Sequence, residues 1–184
     1  QGDAEEDLTL IRELLGPHFN LKIHLTTVEE GAEQLAQLAI ASQADLVIAS
    51  GGDGTVSAVA GCLMGSNIPL GVIPRGTANA FGLALGVTGP VTHIRAACRV
   101  ILGGHTKQVD AAKCNGQPMI LLAGIGFEAE TVEKASREFK DQWGALAYLM
   151  AGWNQLSEQE LFTAQLLMNG ETYPVDAGAI TVAN

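Results

Sequence analysis

Residues 45–57, Asp45-Leu46-Val47-Ile48-Ala49-Ser50-Gly51-Gly52-Asp53-Gly54-Thr55-Val56-Ser57, decide the fold. A short apolar run with strand character meets four turn-forming residues and continues into a helix over about 55–64. Glycines at such a junction let an anion approach backbone N–H groups, and the helix N-terminus adds partial positive charge. Asp53 does not favour a phosphate by itself, so its place in this turn fits a carboxylate that holds Mg²⁺ against phosphates. The competing reading is an ordinary glycine turn in which Asp53 or Thr55 caps the helix.

The next strand, 70–74, ends in the same way. Ile73-Pro74-Arg75-Gly76-Thr77-Ala78-Asn79-Ala80-Phe81 carries Gly and Thr after a strand and opens a helix near 78–85. In a parallel sheet, consecutive strand-to-helix turns share the carboxyl-end rim, where ligands bind. Two such turns say more than either alone. The competing reading makes Thr77 a plain cap and Asn79 a solvated first-turn residue.

Outward from this pair, apolar periodicity predicts helices over 7–15, 29–43 and 90–102 and a strand over 20–26. Strands alternating with helices predict a parallel sheet with both faces covered. After residue 105 the pattern changes. Runs 105–114 and 117–125 flank Asn115-Gly116, and runs 161–168 and 171–182 flank Asn169-Gly170, each a hairpin signal. Helical sequence lies between them, with Glu130/Lys134 and Glu133/Arg137 spaced as favourable pairs. The expected fold class is therefore α/β: a Rossmann-like parallel-sheet nucleotide-binding domain over 1–105, followed by part of an antiparallel β-rich domain over 106–184. The opening on a helix and the close on a strand lead us to expect a fragment of a longer polypeptide.

Composition narrows the function. With 20 Asp and Glu against 10 Lys and Arg, the net charge of −10 argues against nucleic acid as a partner. The same balance argues against a polybasic membrane anchor. Three cysteines without CxxC spacing exclude a disulfide framework and a zinc site and suit a cytoplasmic location. The acidic N-terminus is not a signal peptide. The uncharged stretch between Asp53 and Arg75 is broken by Gly61, Gly65, Pro69 and Gly71, so it reads as helix–turn–strand rather than a membrane span.

GGDGT followed by P-L-G-V-I-P-x-G-T-x-N-x-F resembles the catalytic domain of the diacylglycerol kinase family, including bacterial lipid kinases and sphingosine kinases. Val109-Asp110 and Ala123-Gly124-Ile125-Gly126-Phe127-Glu128-Ala129 are similar to that family too, so the likeness runs over nearly the whole chain. The resemblance implies an ATP-dependent lipid kinase that phosphorylates a hydroxyl on a diacylglycerol-like lipid, with ATP and Mg²⁺ as cofactors. It implies ATP contacts from Gly51, Gly52, Asp53, Gly54, Thr55, Val56, Ser57, Gly76, Thr77 and Asn79, with Asp53 as metal ligand and catalytic carboxylate. Thr27 matches a family threonine near the nucleotide and reads equally well as a cap for helix 29–43.

NAD kinases share GGDGT but follow the next strand with I-N-x-G-x-L-G-F, which this chain lacks. Kinases of NAD or of other soluble alcohols remain an alternative, as does a non-catalytic nucleotide-binding module. Ala80 and Glu128 depart from the family's usual acidic residues. The family's N-P-x-x-G strand and its D-G-E motif, which resembles the general base, fall outside the sequence. The fragment alone is therefore expected to transfer little phosphate, with Asp110 and Glu128 structural rather than basic. Residues 143–156, with Trp143, Tyr148 and Trp153, read as a helix that either contacts a membrane surface transiently or, as favoured here, covers the β-rich half. A homo-oligomer is left open.

Overall fold

The computed structural model describes residues 2–76, 79–87, 93–126 and 161–183. The expected helix 143–156, the charge pairs at 130–137, Thr77 and Glu128 lie outside the described residues. Contacts divide the chain into two units, 1–121 and 122–184. The change of sequence pattern comes earlier, near residue 105, because the first unit also takes up a short hairpin.

In the first unit, β1 (Val47–Gly51) and β2 (Leu70–Pro74) run parallel, with Val47 opposite Leu70 and Gly51 opposite Pro74. Alternate strand residues enter two separate cores. Val47, Ala49 and Val72 join Val56, Val59 and Leu63 of α3 (Asp53–Leu63) and Ala36 of α2 (Ala32–Ala41). On the other face Ile73, fully buried, meets Ile11 and Leu15 of α1 (Gly2–Leu15) and Ala97 and Cys98 of α5 (His93–Gly103). Helices thus cover both faces of the parallel pair, as the alternation of elements predicts. The uncharged stretch is helix, turn and strand: α3, a left-handed Gly65, then β2.

Three boundaries differ from the sequence expectation, each for a local reason. Residues 20–26 form no strand. Alternation keeps Leu21 and Ile23 half-buried and Lys22 and His24 exposed, but a strand also needs a ladder partner. Among the described residues β1 pairs with β2 alone, and none pairs with 20–26. The second helix begins at Ala32 rather than Glu29. Gly31 is its N-cap, and the Gln34 side chain accepts the Gly31 N–H. Thr27 instead caps the turn before it, its Oγ1 accepting the N–H groups of Glu29 and Glu30 at 3.2 and 3.0 Å. Finally, α1 starts earlier than expected and ends on schedule at Gly16-Pro17.

The hairpin of β3 (Ala112–Cys114) and β4 (Gln117–Met119) closes the first unit. It lies on α3 at Gly61, where a Cβ would meet the Pro118 ring at 2.4 Å. In the second unit, β6 (Phe162–Met168) pairs antiparallel with β7 (Glu171–Ala177), and β5 (Leu122–Gly126) pairs antiparallel with β8 (Ala179–Ala183). The apolar runs 117–125 and 171–182 are therefore each two strands, the second divided at Gly178. The first run, 105–114, narrows to the three residues of β3. Both Asn-Gly pairs turn as expected, with φ of +49° and +80° at Asn115-Gly116 and +53° and +85° at Asn169-Gly170.

Candidate functional site

The parallel register sets Gly51 beside Pro74, so both glycine turns leave the sheet at one edge. They are joined there by backbone. The Arg75 N–H donates to the Gly51 carbonyl at 2.9 Å, extending the ladder one step. Gly52 and Gly76 then touch: a Cβ at position 76 would lie 2.6 Å from the Gly52 Cα, closer than carbon atoms allow. Gly51 is glycine for a related reason, because its missing Cβ would fall 2.7 Å from both Cβ and Oγ1 of Thr55. Gly54 differs from these, exposed and with nothing within 4 Å of a Cβ.

Thr55 therefore does not cap α3. The N-cap is Gly52, in extended conformation, and Thr55 stands in the first turn with its side chain over Gly51. Helix geometry leaves the N–H groups of Asp53, Gly54 and Thr55 without carbonyls one turn earlier, so they face the end of the helix. Val56 is the first whose N–H is used, donating to the Gly52 carbonyl at 3.0 Å, and its side chain is buried in the core. Any contact from Val56 to a ligand is thus a backbone contact. Ser57 is half-buried one residue further on.

Asp53 reaches across to the second turn. Its Oδ1 accepts the N–H of Phe81 at 3.2 Å, so this carboxylate caps α4 (Ala80–Ala84) rather than its own helix. Sequence reasoning missed this bond, which spans 28 residues. It also misplaced Asn79. The residue is 9% exposed, not solvated, and left-handed, with φ +47° and ψ +42°. Its Oδ1 accepts the Gly76 N–H at 2.7 Å, and its Nδ2 donates to the Gly76 carbonyl.

From Gly54 to Ile94 the sequence has no Asp or Glu, and its one Lys or Arg is Arg75. Its guanidinium pairs with Asp7 of α1 at 2.7 Å. It points that way because Arg75 continues the strand face of Ile73, which looks onto α1. Thr27 is exposed, and among the described residues its side chain bonds only the turn 28–30. The structure thus brings Gly51–Ser57, Gly76 and Asn79 to one rim and gives Thr27 no bond to it.

Among the described residues, Asp53 is the carboxylate that the two turns themselves offer a metal. No group of three or more His, Cys, Asp or Glu is placed to hold a metal ion among the described residues. Asp53 fits a cation whose remaining positions are filled by phosphate oxygens and water, the usual arrangement for Mg²⁺. Backbone N–H groups at a glycine turn fit the phosphates themselves.

The family match agrees with this arrangement. The diacylglycerol kinase catalytic domain matches residues 1–114, and the chain belongs to that family. The chain is 50% identical over 195 residues to the uncharacterized protein sll0036 of Synechocystis, covering all of this chain and 44% of that one. It is 32% identical to a diacylglycerol kinase of Bacillus subtilis, over 84% of this chain and 51% of the relative. A solved structure of a diacylglycerol kinase from Bacillus anthracis superposes with a TM-score of 0.77 at 32% identity, covering all of this chain and 60% of that one. The chain spans about half the length of the curated relatives it matches.

Proposed function

We propose that this chain carries the nucleotide-binding part of an ATP-dependent lipid kinase that phosphorylates a diacylglycerol-like hydroxyl. The observation that carries this reading is the pair of glycine turns in backbone contact at one edge of a parallel sheet. Family membership and relatives named diacylglycerol kinase support the substrate class.

The proposed division of labour follows from the geometry. The free N–H groups of the first turn of α3 meet phosphate oxygens, and Gly54 leaves the space for their approach. Thr55 and Ser57 supply hydroxyls, and the family resemblance, rather than the geometry, adds those of Thr77 and Thr27. Asp53 orients Mg²⁺ while its Oδ1 keeps the second turn in place. Held there, Mg²⁺ would supply charge neutralisation at the transferring phosphoryl group. The ATP-binding part is proposed for 1–105, which lies within the first compact unit, 1–121. The acceptor is reached by transient contact with a membrane surface from the cytoplasm. Among the described residues no helix is long and apolar enough to cross a membrane.

Radiolabelled ATP offered to the full-length protein with Mg²⁺ and mixed micelles of diacylglycerol, monoacylglycerol or ceramide tests this. Label in diacylglycerol is expected. With NAD and glycerol offered in parallel, label only in these would replace lipid with a soluble acceptor, and no ATP binding by calorimetry would remove the kinase reading.

A further inference from the structure

Among the described residues, Asn79 is the buried polar side chain of the protein. It also adopts a left-handed backbone, which costs most residues energy and which asparagine tolerates. Both features need a cause, and its bonds supply one. A single side-chain amide takes up both main-chain polar groups of Gly76, the N–H through Oδ1 and the C=O through Nδ2. Asn79 also passes its own carbonyl to the Leu83 N–H at 2.9 Å, which anchors it to α4. Two residues on, Phe81 is tied to Asp53 of the first turn.

We infer that Asn79 is a positioning residue for nucleotide binding, one that fixes Gly76 against Gly52 and does not itself touch the nucleotide. This rests on the reading of the rim as an ATP site. The side chain cannot turn outward to a ligand without unpairing both Gly76 groups. Gly76 in turn has no freedom on its other side, where it abuts Gly52 at the N-cap of α3. The amide therefore sets the spacing between the two turns, and the α3 N–H groups are presented from a rim of fixed width.

Two variants separate this from a stability effect. Asn79→Gly keeps the left-handed backbone and removes the amide. Asn79→Asp keeps an acceptor for the Gly76 N–H and removes the donor. In the full-length protein, calorimetric titration of the Asn79→Gly variant is expected to show about a tenfold rise in Kd, by loss of two hydrogen bonds. A residue that acts through the turn weakens MgATP, MgADP and magnesium triphosphate by the same factor. KM for ATP rises with it while kcat at saturating ATP stays within about twofold of wild type. The Asn79→Asp variant is expected to fall between wild type and Asn79→Gly.

A Kd unchanged from wild type would overturn the inference, whatever happens to the melting temperature. A loss confined to the adenine nucleotides, with triphosphate spared, would overturn it too, because that is the signature of direct contact with the nucleoside. If Asn79→Gly does not fold, the same two readings taken on Asn79→Asp decide. A wild-type protein that binds none of the three ligands removes the ATP reading instead.

Discussion

Two pairs of glycine turns in this molecule look alike in sequence and differ in physics. The Asn-Gly turns at Asn115-Gly116 and Asn169-Gly170 need glycine for its dihedral angle, with φ of +80° and +85° and open space around the missing Cβ. At the rim, Gly51, Gly52 and Gly76 have no such need. They are small because another part of the chain occupies the position of a side chain. The hairpin requirement is local and written in two adjacent letters. The requirement at Gly52 and Gly76 is set by a residue 24 positions away and emerges only when β1 and β2 pair, while that at Gly51 is set by Thr55 four residues on.

The comparison can be broken most severely at Asp53. Asp53→Ala in the full-length protein removes both the charge and the tie to Phe81, and kinase activity is expected to fall on the order of 100-fold or more. Asp53→Asn keeps an acceptor for the Phe81 N–H and loses only the charge. Equal losses in the two variants, measured as kcat/KM with lipid acceptor, would assign the effect to charge. Wild-type activity in Asp53→Asn would leave Asp53 as a tie between turns and nothing more.

Next in size is an asymmetry between two glycines that face each other. Gly76→Ala drives a methyl group to 2.6 Å from the Gly52 Cα, whereas Gly52→Ala meets the Gly76 Cα at 3.3 Å, a tight contact that a small backbone shift relieves. Gly76→Ala is expected to cost about 1–3 kcal/mol of stability as overpacking, and Gly52→Ala less than about 1. Chemical denaturation of both reads the difference, and equal costs would show that the turns are not in backbone contact.

A hairpin substitution gives a smaller and differently caused effect. Gly116→Ala has ample room, so its expected cost is about 1 kcal/mol from the left-handed backbone alone. Adding a cavity nearby should not relieve it, which distinguishes dihedral strain from crowding.

Smallest of all is Gly54→Ala, expected to leave the melting temperature within about 1–2 °C of wild type because nothing lies within 4 Å. Its effect should appear only when ligand is added, as weaker MgATP binding by calorimetry. Unaltered affinity would move the phosphates away from this turn.

The sequence made the core of the fold legible wherever the signal was short-ranged. Strand, glycine turn, helix and strand over 45–74 fall where their periodicity puts them, and both Asn-Gly hairpins close as read. Failures occurred where a partner decides. Residues 20–26 alternate like a strand without one beside them, and Glu29-Glu30 look like a helical first turn although Gly31 is the cap. At the candidate site, spacing located the two turns. It did not show that Asp53 caps a helix 28 residues on, that Thr55 stands over Gly51, or that Asn79 is buried and left-handed. The first depends on the distance between two segments, which no single stretch records, and the other two on how a few neighbouring residues fold back on themselves, which spacing does not reveal.

The rim also has a property that follows from its lack of charge. Among the described residues its ion pair is Arg75 with Asp7, which is partly exposed, and such pairs are worth about 0–1 kcal/mol and are screened by salt. The bonds that fix the turns to each other are mostly neutral backbone and amide contacts, together with the Asp53 carboxylate. The width of this edge is therefore nearly independent of ionic strength, and salt acts on the incoming polyphosphate far more than on the receptor prepared for it.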